Sequence, residues 1–358
     1  MIKRNNVIDF AKFIFSVVIL LNHSNSLMPG KGCFMFGGYL AVEFFFLVSG
    51  FLIAQSSAKK SSFDANTIGT ETLRLVLNKF KRIFPYYSLG FVLSFAVTQY
   101  INHVSGRSIL KNAIKSILTF LRLGTTVGLN SYEVMDLCWY ISGMLLGIMI
   151  IYPLLRYHAN LFCYVEAPLI CAFIYGYLFH TYKGTATLDW IGICNTGLLR
   201  GIAGLSLGCL TYEGSRKIKN IKWSGNGRVF LTLVEVMGYF IALIHMQFKS
   251  KIGSDDFVII GILTMSISIS FSGSSLSYKM FGQTNVPWAE YSLALYMGHW
   301  PVLLFIANDH ALSTFQLKFV TYFVCSFIVS FLLQKGGNLL KNLFGWIGKE
   351  AKSLFVLP

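Results

Sequence analysis

The most regular feature of this chain is a series of apolar segments, each about as long as a lipid bilayer core is thick. About 20 apolar residues cross that core as a helix. The segments lack the alternation typical of barrel strands, so their backbone groups must be satisfied within helices. The pattern predicts an all-α, polytopic integral membrane protein with about ten transmembrane helices, at residues 8–27, 37–54, 83–101, 137–155, 163–180, 197–212, 229–247, 257–271, 289–306 and 317–334.

Composition supports the same fold class. The 358 residues are 54% hydrophobic and only 13% charged, about half the charge of a typical soluble domain. One soluble core of this size would not bury so much apolar surface. We expect a single membrane domain over residues 1–358, with no additional soluble domain. No small-x-small cleavage site follows the first apolar segment, so we expect that segment to be retained as a span.

The distribution of cations predicts the orientation. With the N-terminus inside, the predicted cytoplasmic segments hold 19 of the 30 Lys and Arg residues, and the outer segments hold nine. This bias places both termini in the cytoplasm and the protein in the cytoplasmic (inner) membrane. The cations that give the net charge of +15 cluster between apolar segments, which argues against nucleic-acid binding. Segment 102–136 predicts a helix lying in the outer interface, and 214–228 predicts a basic inner loop.

The first span carries three ionisable side chains, Asp9, Lys12 and His23. Such groups are costly in a bilayer and mark candidate functional sites. Lys12 and His23 lie about 20° apart around a helix, and Asp9 lies within roughly 40° of His23. One polar stripe therefore runs along this helix, with the imidazole near its outer end. The alternative is a structural stripe in which Asp9 and Lys12 form a simple ion pair.

The second span places Glu43 at a depth similar to that of His23. A short connection makes the two spans antiparallel neighbours, so we expect His23 and Glu43 to approach each other. A carboxylate that orients an imidazole raises its basicity, as a general base requires. The alternative is two buried polar groups that satisfy each other. Elsewhere, we expect Arg200 to snorkel from an outer helix end, and Glu235 has no partner identifiable from the sequence.

Five short motifs follow one another in a recognisable order. Each is weak alone, but together they extend over residues 8–301, most of the chain. They resemble the acyltransferase family 3 membrane proteins. The motifs are Ile8-Asp9-Phe10-Ala11-Lys12 with His23, Gly38–Ile53 with its Phe45-Phe46 and Ser49-Gly50, Lys79–Pro85, Trp139–Ser142 before Tyr152-Pro153, and Ser292–Pro301.

The resemblance implies an enzyme that moves acyl groups, usually acetyl from acetyl-CoA, onto hydroxyls of saccharides or lipids. His23 matches the essential histidine of the family, and Lys12 stands where the family usually has arginine. Lys79 and Arg82 match a basic-x-x-basic motif. Many members carry a glutamate soon after the serine of the fourth span, but Gly143 and Met144 follow it here. That departure leaves the subfamily open.

The remaining candidates would bind substrates. Lys79, Lys81 and Arg82 form a basic cluster suited to the phosphates of acetyl-CoA, or else an ordinary positive-inside flank. We expect Asp9, Lys12, Ser49, Trp139, Tyr296 and His299 to contribute to the same site. The alternative for Trp139 and Tyr296 is that they are aromatic residues at the membrane interface. The alternative for His299 is that it packs between helices. The seven cysteines show no Cys-x-x-Cys or Cys/His metal spacing, so no metal is expected.

The sequence therefore predicts a membrane O-acetyltransferase with acetyl-CoA as acyl donor and His23 as general base. Its expected acceptor is a cell-envelope polysaccharide or the lipid-linked precursor of one. The rival is a transporter or flippase for lipid-linked saccharides, which would also need many spans and buried charges. Transporters often contain internal repeats with interrupted helices. No such repeat is visible, and the polar candidates concentrate in the first three spans, which favours the enzyme.

Overall fold

The computed structural model describes residues 5–28, 34–60, 64–120, 134, 135, 137, 139–192, 194–281 and 286–354, with side chains omitted at 118, 119 and 344–354. Helices dominate these residues, and the strands are a two-residue antiparallel pair. A π-helical turn, Phe162–Glu166, joins the helices Ala159–Leu161 and Ala167–Tyr182. The elements are α1 Asn6–His23, α2 Ala41–Ala58, α3 Ile68–Ile101, α4 Gly106–Lys115, α5 Ile117–Phe120, α6 Trp139–Tyr157, α7 Ala159–Leu161, α8 Ala167–Tyr182, β1 Trp190–Ile191, β2 Cys194–Asn195, α9 Thr196–Asn220, α10 Gly225–Phe248, α11 Asp255–Ser272, α12 Leu276–Phe281, α13 Trp288–Ala307 and α14 Phe315–Leu354.

All ten predicted spans fall on helices, but the count of ten spans is not confirmed. Three of the ten, in α3, α9 and α13, are not among the described helices that meet the length and hydropathy expected of a membrane crossing. Glycine, hydroxyl and aromatic residues lower the hydropathy of α9 and α13, which other helices surround. Seven of the described helices have the length and hydropathy of a membrane crossing: Asn6–Ser26, Phe36–Ala58, Trp139–Tyr157, Ala159–Tyr182, Gly225–Phe248, Asp255–Ser272 and Phe315–Leu343.

Helix α9 occupies the centre of one half of the bundle, where it packs against α2, α6, α8 and α11. Its crossing with α2 is so close that backbone meets backbone. A Cβ added to Gly50 would collide with the carbonyl of Leu205, and one added to Gly208 would collide with the carbonyl of Leu47. Small residues allow helices to approach in this way within membranes. The close packing of α2 against α9 therefore explains the glycine of the Ser49-Gly50 motif.

Helix α13 organises the other half, packing against α1, α3 and α14. Hydrogen bonds tie α1 into this half: Ser16 Oγ lies 2.7 Å from Ser292 Oγ, and Ser292 donates to the carbonyl of Lys12 at 3.0 Å. Asn5 caps the start of α1, because its side chain accepts from the Ile8 N–H. Helix α1 thus lies between the two halves and reaches the cavities of both.

Two segments predicted to connect spans contain helix in the structure. Segment 102–136 contains the expected helix, with Ile109 and Ile114 of α4 exposed, while its residues 121–133 lie outside the described residues. The 214–228 segment is not a plain loop, because α9 continues to Asn220 and α10 begins at Gly225. Lys217 and Lys219 occupy the last turn of α9, where cations interact favourably with the helix dipole.

Candidate functional site

Helix α1 lines two separate cavities, one with each end of its polar stripe. Lys12 and Ser16 line the first cavity, of about 230 Å³. His23 lines the second, of about 350 Å³, about three turns of helix beyond Lys12. We call the first the basic cavity. It is formed by Lys12, Ser16, Phe45, Val48, Ser49, Leu52, Lys79, Arg82, Ile83, Tyr140, Ile141, Met144, Ala289, Ser292, Leu293, Tyr296 and Met297.

Cations outnumber acids around the basic cavity. Lys12 pairs with Asp9 at 2.9 Å, and Lys79 and Arg82 also line the cavity. Among the described residues, neither Lys79 nor Arg82 forms an ion pair with a carboxylate. Lys81, the third member of the predicted basic cluster, is exposed and does not line the cavity. The local excess of positive charge is suited to an anionic ligand.

The sulfur of Met144 is the meeting point of three polar groups in this cavity. Ser49 Oγ lies 3.3 Å from it, the Tyr140 hydroxyl 3.5 Å and Lys79 Nζ 3.6 Å. A thioether is a weak acceptor. The two hydroxyls also lie 3.4 Å from each other, whereas the Lys79 ammonium has no stronger acceptor than this sulfur among the described residues.

The second cavity, here called the outer cavity, contains His23 and Trp139 from the predicted site. Its wall is completed by the entry to α2, the segment before β1 and one residue of α9. The lining residues are Ile19, Asn22, His23, Gly38, Tyr39, Val42, Trp139, Ala186, Thr187, Leu188 and Arg200. An aromatic ring, a guanidinium, an amide and two hydroxyl-bearing side chains thus surround one opening.

Glu43 does not pair with His23 as expected. Its Oε1 accepts a hydrogen bond from Arg200 Nε at 2.8 Å, with both side chains buried, and no hydrogen bond joins Glu43 to His23 among the residues described. Arg200 therefore does not snorkel: only 2% of its surface is exposed. A buried carboxylate is costly unless a charged group pairs with it. Arg200 supplies that group from α9.

Arg200 also shapes the outer cavity. Its guanidinium lies 4.7 Å from the centre of the Trp139 ring, a cation–π contact. Its terminal nitrogens lie 3.4 Å from the carbonyls of Thr187 and Tyr39. The residue that the sequence placed at a helix end is the one that connects Glu43, Trp139 and the cavity wall. An arginine within an apolar segment was the signal that could have identified it.

Three rings lie in a row between the two cavities. The ring centres of His23 and His299 lie 5.4 Å apart, and those of His299 and Tyr296 lie 6.2 Å apart. Tyr296 lines the basic cavity and His23 lines the outer cavity. His299 is fully buried between them. The structure thus brings together His23 of α1 and both predicted site residues of α13, His299 and Tyr296.

The protonation of His299 follows from its contacts. Nδ1 lies 2.9 Å from the carbonyl oxygen of Leu295, which only accepts, so Nδ1 carries the proton. Nε2 is left as a lone pair without a hydrogen-bond partner among the described residues. His23 is half-buried and likewise has no hydrogen bond to any described residue. The ring nitrogens of His23 are therefore available to a ligand in the outer cavity, whereas His299 lines neither cavity.

Two other polar clusters have structural explanations. Glu235, which had no partner in the sequence analysis, accepts hydrogen bonds from Ser270 and Ser277. Asp255, Asp256 and His245 are close enough to resemble a metal site, but Lys249 Nζ lies 2.6 Å from Asp255 and 2.8 Å from Asp256. An ammonium already pairs with both carboxylates.

A model of an acyltransferase domain matches residues 5–335. The chain belongs to acyltransferase family 3. Its apolar helices and this family membership make it a multi-pass membrane protein. It is also 26% identical over 127 residues to an O-acetyl transferase of Shigella phage Sf6, a match that covers 32% of this chain and 34% of the phage protein. The chain thus aligns with only about a third of the length of that relative. No solved structure matches the chain.

Proposed function

We propose that this acyltransferase moves an acetyl group from acetyl-CoA to a hydroxyl of a cell-envelope polysaccharide or of its lipid-linked precursor. The observation that carries the proposal is the pair of cavities along α1: a basic cavity at Lys12 and a polar, aromatic cavity at His23. One helix thus serves an anionic donor and a hydroxyl-bearing acceptor at different depths. The name of the phage relative, O-acetyl transferase, supports the choice of acetyl group.

The basic cavity is the proposed donor site. Coenzyme A carries phosphates, and charge-assisted hydrogen bonds from Lys and Arg are the strong contacts for such groups. Lys79 and Arg82 have no competing carboxylate among the residues described, so they are available for this role. The otherwise apolar lining from α2, α6 and α13 would accommodate the uncharged pantetheine arm. Ser49 and Tyr140 would then face the thioester end.

The outer cavity is the proposed acceptor site. Trp139 offers an aromatic surface and Arg200, Asn22 and Thr187 offer polar groups, a combination suited to a sugar. A sugar hydroxyl is a poor nucleophile near neutral pH, and a positioned base is the usual remedy. His23 lines this cavity and has no hydrogen-bond partner among the described residues, so its imidazole is the group we assign as that base.

The reaction then balances with the groups available. His23 removes the proton from the acceptor hydroxyl as its oxygen attacks the thioester carbonyl. The carbon–oxygen bond of the ester forms and the carbon–sulfur bond breaks. The proton held by His23 passes to the leaving thiolate, which restores the neutral imidazole and gives free coenzyme A. In this proposal Glu43 holds Arg200 in the wall of the acceptor cavity, rather than orienting His23.

The test is acetyl transfer by purified protein in liposomes. Labelled acetyl-CoA is supplied on the side of the basic cavity, and an envelope polysaccharide or lipid-linked saccharide on the other. We expect alkali-labile label on the saccharide and release of coenzyme A. Proton NMR of envelope polysaccharide from cells with and without the gene should show the matching O-acetyl signals. Movement of saccharide across the membrane without consumption of acetyl-CoA would instead favour the transporter.

A further inference from the structure

A third cavity, of about 310 Å³, lies where α2, α6, α7 and α9 meet at the predicted cytoplasmic side. It shares no lining residue with the basic cavity or the outer cavity. We call it the α6–α9 cavity. Its lining residues are Ala54, Ser57, Ala58, Lys60, Leu155, Arg156, Ala159, Asn160, Cys163, Tyr164, Tyr212, Glu213 and Arg216. Nothing in the proposed acetyl transfer uses these residues.

Cations from three different parts of the chain converge on this cavity. Lys60 and Arg156 share one carboxylate, Glu71, at 2.9 and 3.2 Å. The hydrogen bond from Lys60, reinforced by the charge of Arg156, holds the pKa of Glu71 below its usual range, so Glu71 is ionised near neutral pH. One negative charge thus offsets two positive charges at this side of the cavity.

The third cation that lines the cavity, Arg216, is only partly satisfied. Arg216 contacts Glu213 at 3.2 Å through Nη1 alone, which leaves Nε and Nη2 without a protein acceptor among the described residues. Lys217, the next residue, lies 5.8 Å from the Tyr164 ring. Three cations, Lys60, Arg156 and Arg216, therefore line the cavity, and the carboxylates of Glu71 and Glu213 pair with them. Ser57 and Asn160 add neutral polar groups that can donate hydrogen bonds.

The rim of the cavity has the composition of a membrane interface. Tyr157 and Tyr164 are 64% and 62% exposed, and Leu161 and Val165 are also exposed beside them. Tyrosines are enriched at the level of lipid headgroups. The π-helical turn Phe162–Glu166, a feature often found at functional sites, brings Tyr164 to the rim. The cavity thus combines excess positive charge with an apolar, aromatic flank.

We propose that the α6–α9 cavity binds the phosphate of an anionic phospholipid of the cytoplasmic leaflet. Basic pockets between helices on the cytoplasmic side are suited to such headgroups. The exposed Leu161 and Tyr164 would contact the acyl chains, which distinguishes a lipid from a free phosphate ion. Arginine presents several N–H donors to a phosphate, and Arg216 uses only Nη1 within the protein, so Arg216 is the principal ligand.

The experiment is native mass spectrometry of the full chain released from nanodiscs that contain equal amounts of phosphatidylglycerol and phosphatidylcholine. We expect selective retention of phosphatidylglycerol. The Lys60→Gln/Arg216→Gln variant removes two cations whose side chains are 38% and 57% exposed, so the fold should tolerate it. Retention of phosphatidylglycerol should fall by about tenfold, the scale of losing charge-assisted contacts.

The matched control is Lys219→Gln/Lys222→Gln, which removes two exposed cations from the same side of the protein without touching the cavity. It should retain the lipid as the unmodified chain does. Equal losses in both double variants would mean that the charge of the membrane flank attracts lipid without a site, and would overturn the proposal. Displacement of the lipid by millimolar inorganic phosphate alone would overturn the assignment to a phospholipid.

Discussion

Arg200 Nε donates a 2.8 Å hydrogen bond to Glu43 Oε1, and both side chains are buried where α9 crosses α2. The two residues are 157 positions apart in the chain. Removing one partner of such a pair leaves an uncompensated buried charge, which costs about 3–5 kcal/mol. This pair therefore stabilises the crossing of α2 and α9. It also positions Arg200 against Trp139 in the wall of the outer cavity.

The first prediction concerns this pair. Arg200→Gln alone should destabilise the protein by about 3–5 kcal/mol, because it strands the Glu43 carboxylate. Adding Glu43→Gln should recover much of that loss, because no buried charge remains. The measurement is thermal unfolding in detergent, arranged as a double-mutant cycle. The exposed Glu213–Arg216 pair serves as the control and should show a coupling of only about 0–1 kcal/mol. Equal coupling in the two cycles would contradict the prediction.

A second prediction concerns the glycine contact between α2 and α9. Gly50→Ala should lower stability by about 1–3 kcal/mol or more, because its Cβ would meet the backbone of Leu205. The matched control is Gly261→Ala in α11, where a Cβ meets nothing within 4 Å. That change should be neutral or stabilising by up to about 1 kcal/mol. Thermal unfolding in detergent separates the two, and similar behaviour of both variants would argue against the close crossing.

Helix positions were predictable from the sequence because apolar length and turn residues are local signals. The stripe of α1 was also predictable, since spacing along a helix determines which residues share a face. The partner of Glu43 was not: a helical wheel gives the direction of a side chain but not which helix lies there. His23 was a reasonable neighbour on α1, but α9 packs against α2 more closely.

The count of spans was harder to predict for a related reason. Helix α9 contains Gly197, Gly201, Gly204 and Gly208 along its length, which reduces its hydropathy while allowing close packing. Hydropathy measures the preference of a side chain for lipid, but a helix enclosed by others meets little lipid. The role of Met144 as a shared contact of Ser49, Tyr140 and Lys79 depends on three helices and had no sequence signal.

A third prediction tests His23 as general base. His23→Ala should leave the protein inserted and folded but reduce acetyl transfer by about a hundredfold or more. The KM for acetyl-CoA should change little, because His23 does not line the basic cavity. His310→Ala, at an exposed histidine, is the control and should retain activity. A His23→Ala rate within a fewfold of the unmodified protein would rule out the assignment of His23 as base.

A fourth prediction concerns topology. Reporter fusions after residues 70, 220 and 350 should all report the cytoplasm, because the adjoining segments hold the largest groups of cations. Residue 220 is the last of α9, and only Ile221–Ser224 separate it from α10. Its location therefore fixes the direction of both helices. An external reporter at 220 would require a different number of spans before it.

The last prediction concerns the donor site, where a plain positive-inside flank is the alternative. Lys79 and Arg82 line the basic cavity, whereas Lys81, between them in sequence, does not, although Lys81 and Arg82 are both exposed. Three neighbouring cations of one helix thus differ in position, although a membrane flank would use all three alike. Substitutions can therefore separate binding of coenzyme A from orientation of the chain.

Lys79→Gln with Arg82→Gln should raise the KM for acetyl-CoA at least about tenfold, since each charge-assisted contact is worth about 1.5–3 kcal/mol. The KM for the saccharide should hardly change, because neither residue lines the outer cavity. Titration of acetyl-CoA on reconstituted protein of verified orientation is the measurement. The control, Lys81→Gln with Arg74→Gln, removes the same charge from exposed positions of α3 and should leave both KM values unchanged. If the two double variants raise the KM for acetyl-CoA equally, general surface charge explains the effect; if neither does, Lys79 and Arg82 are membrane-flanking cations and the donor binds elsewhere.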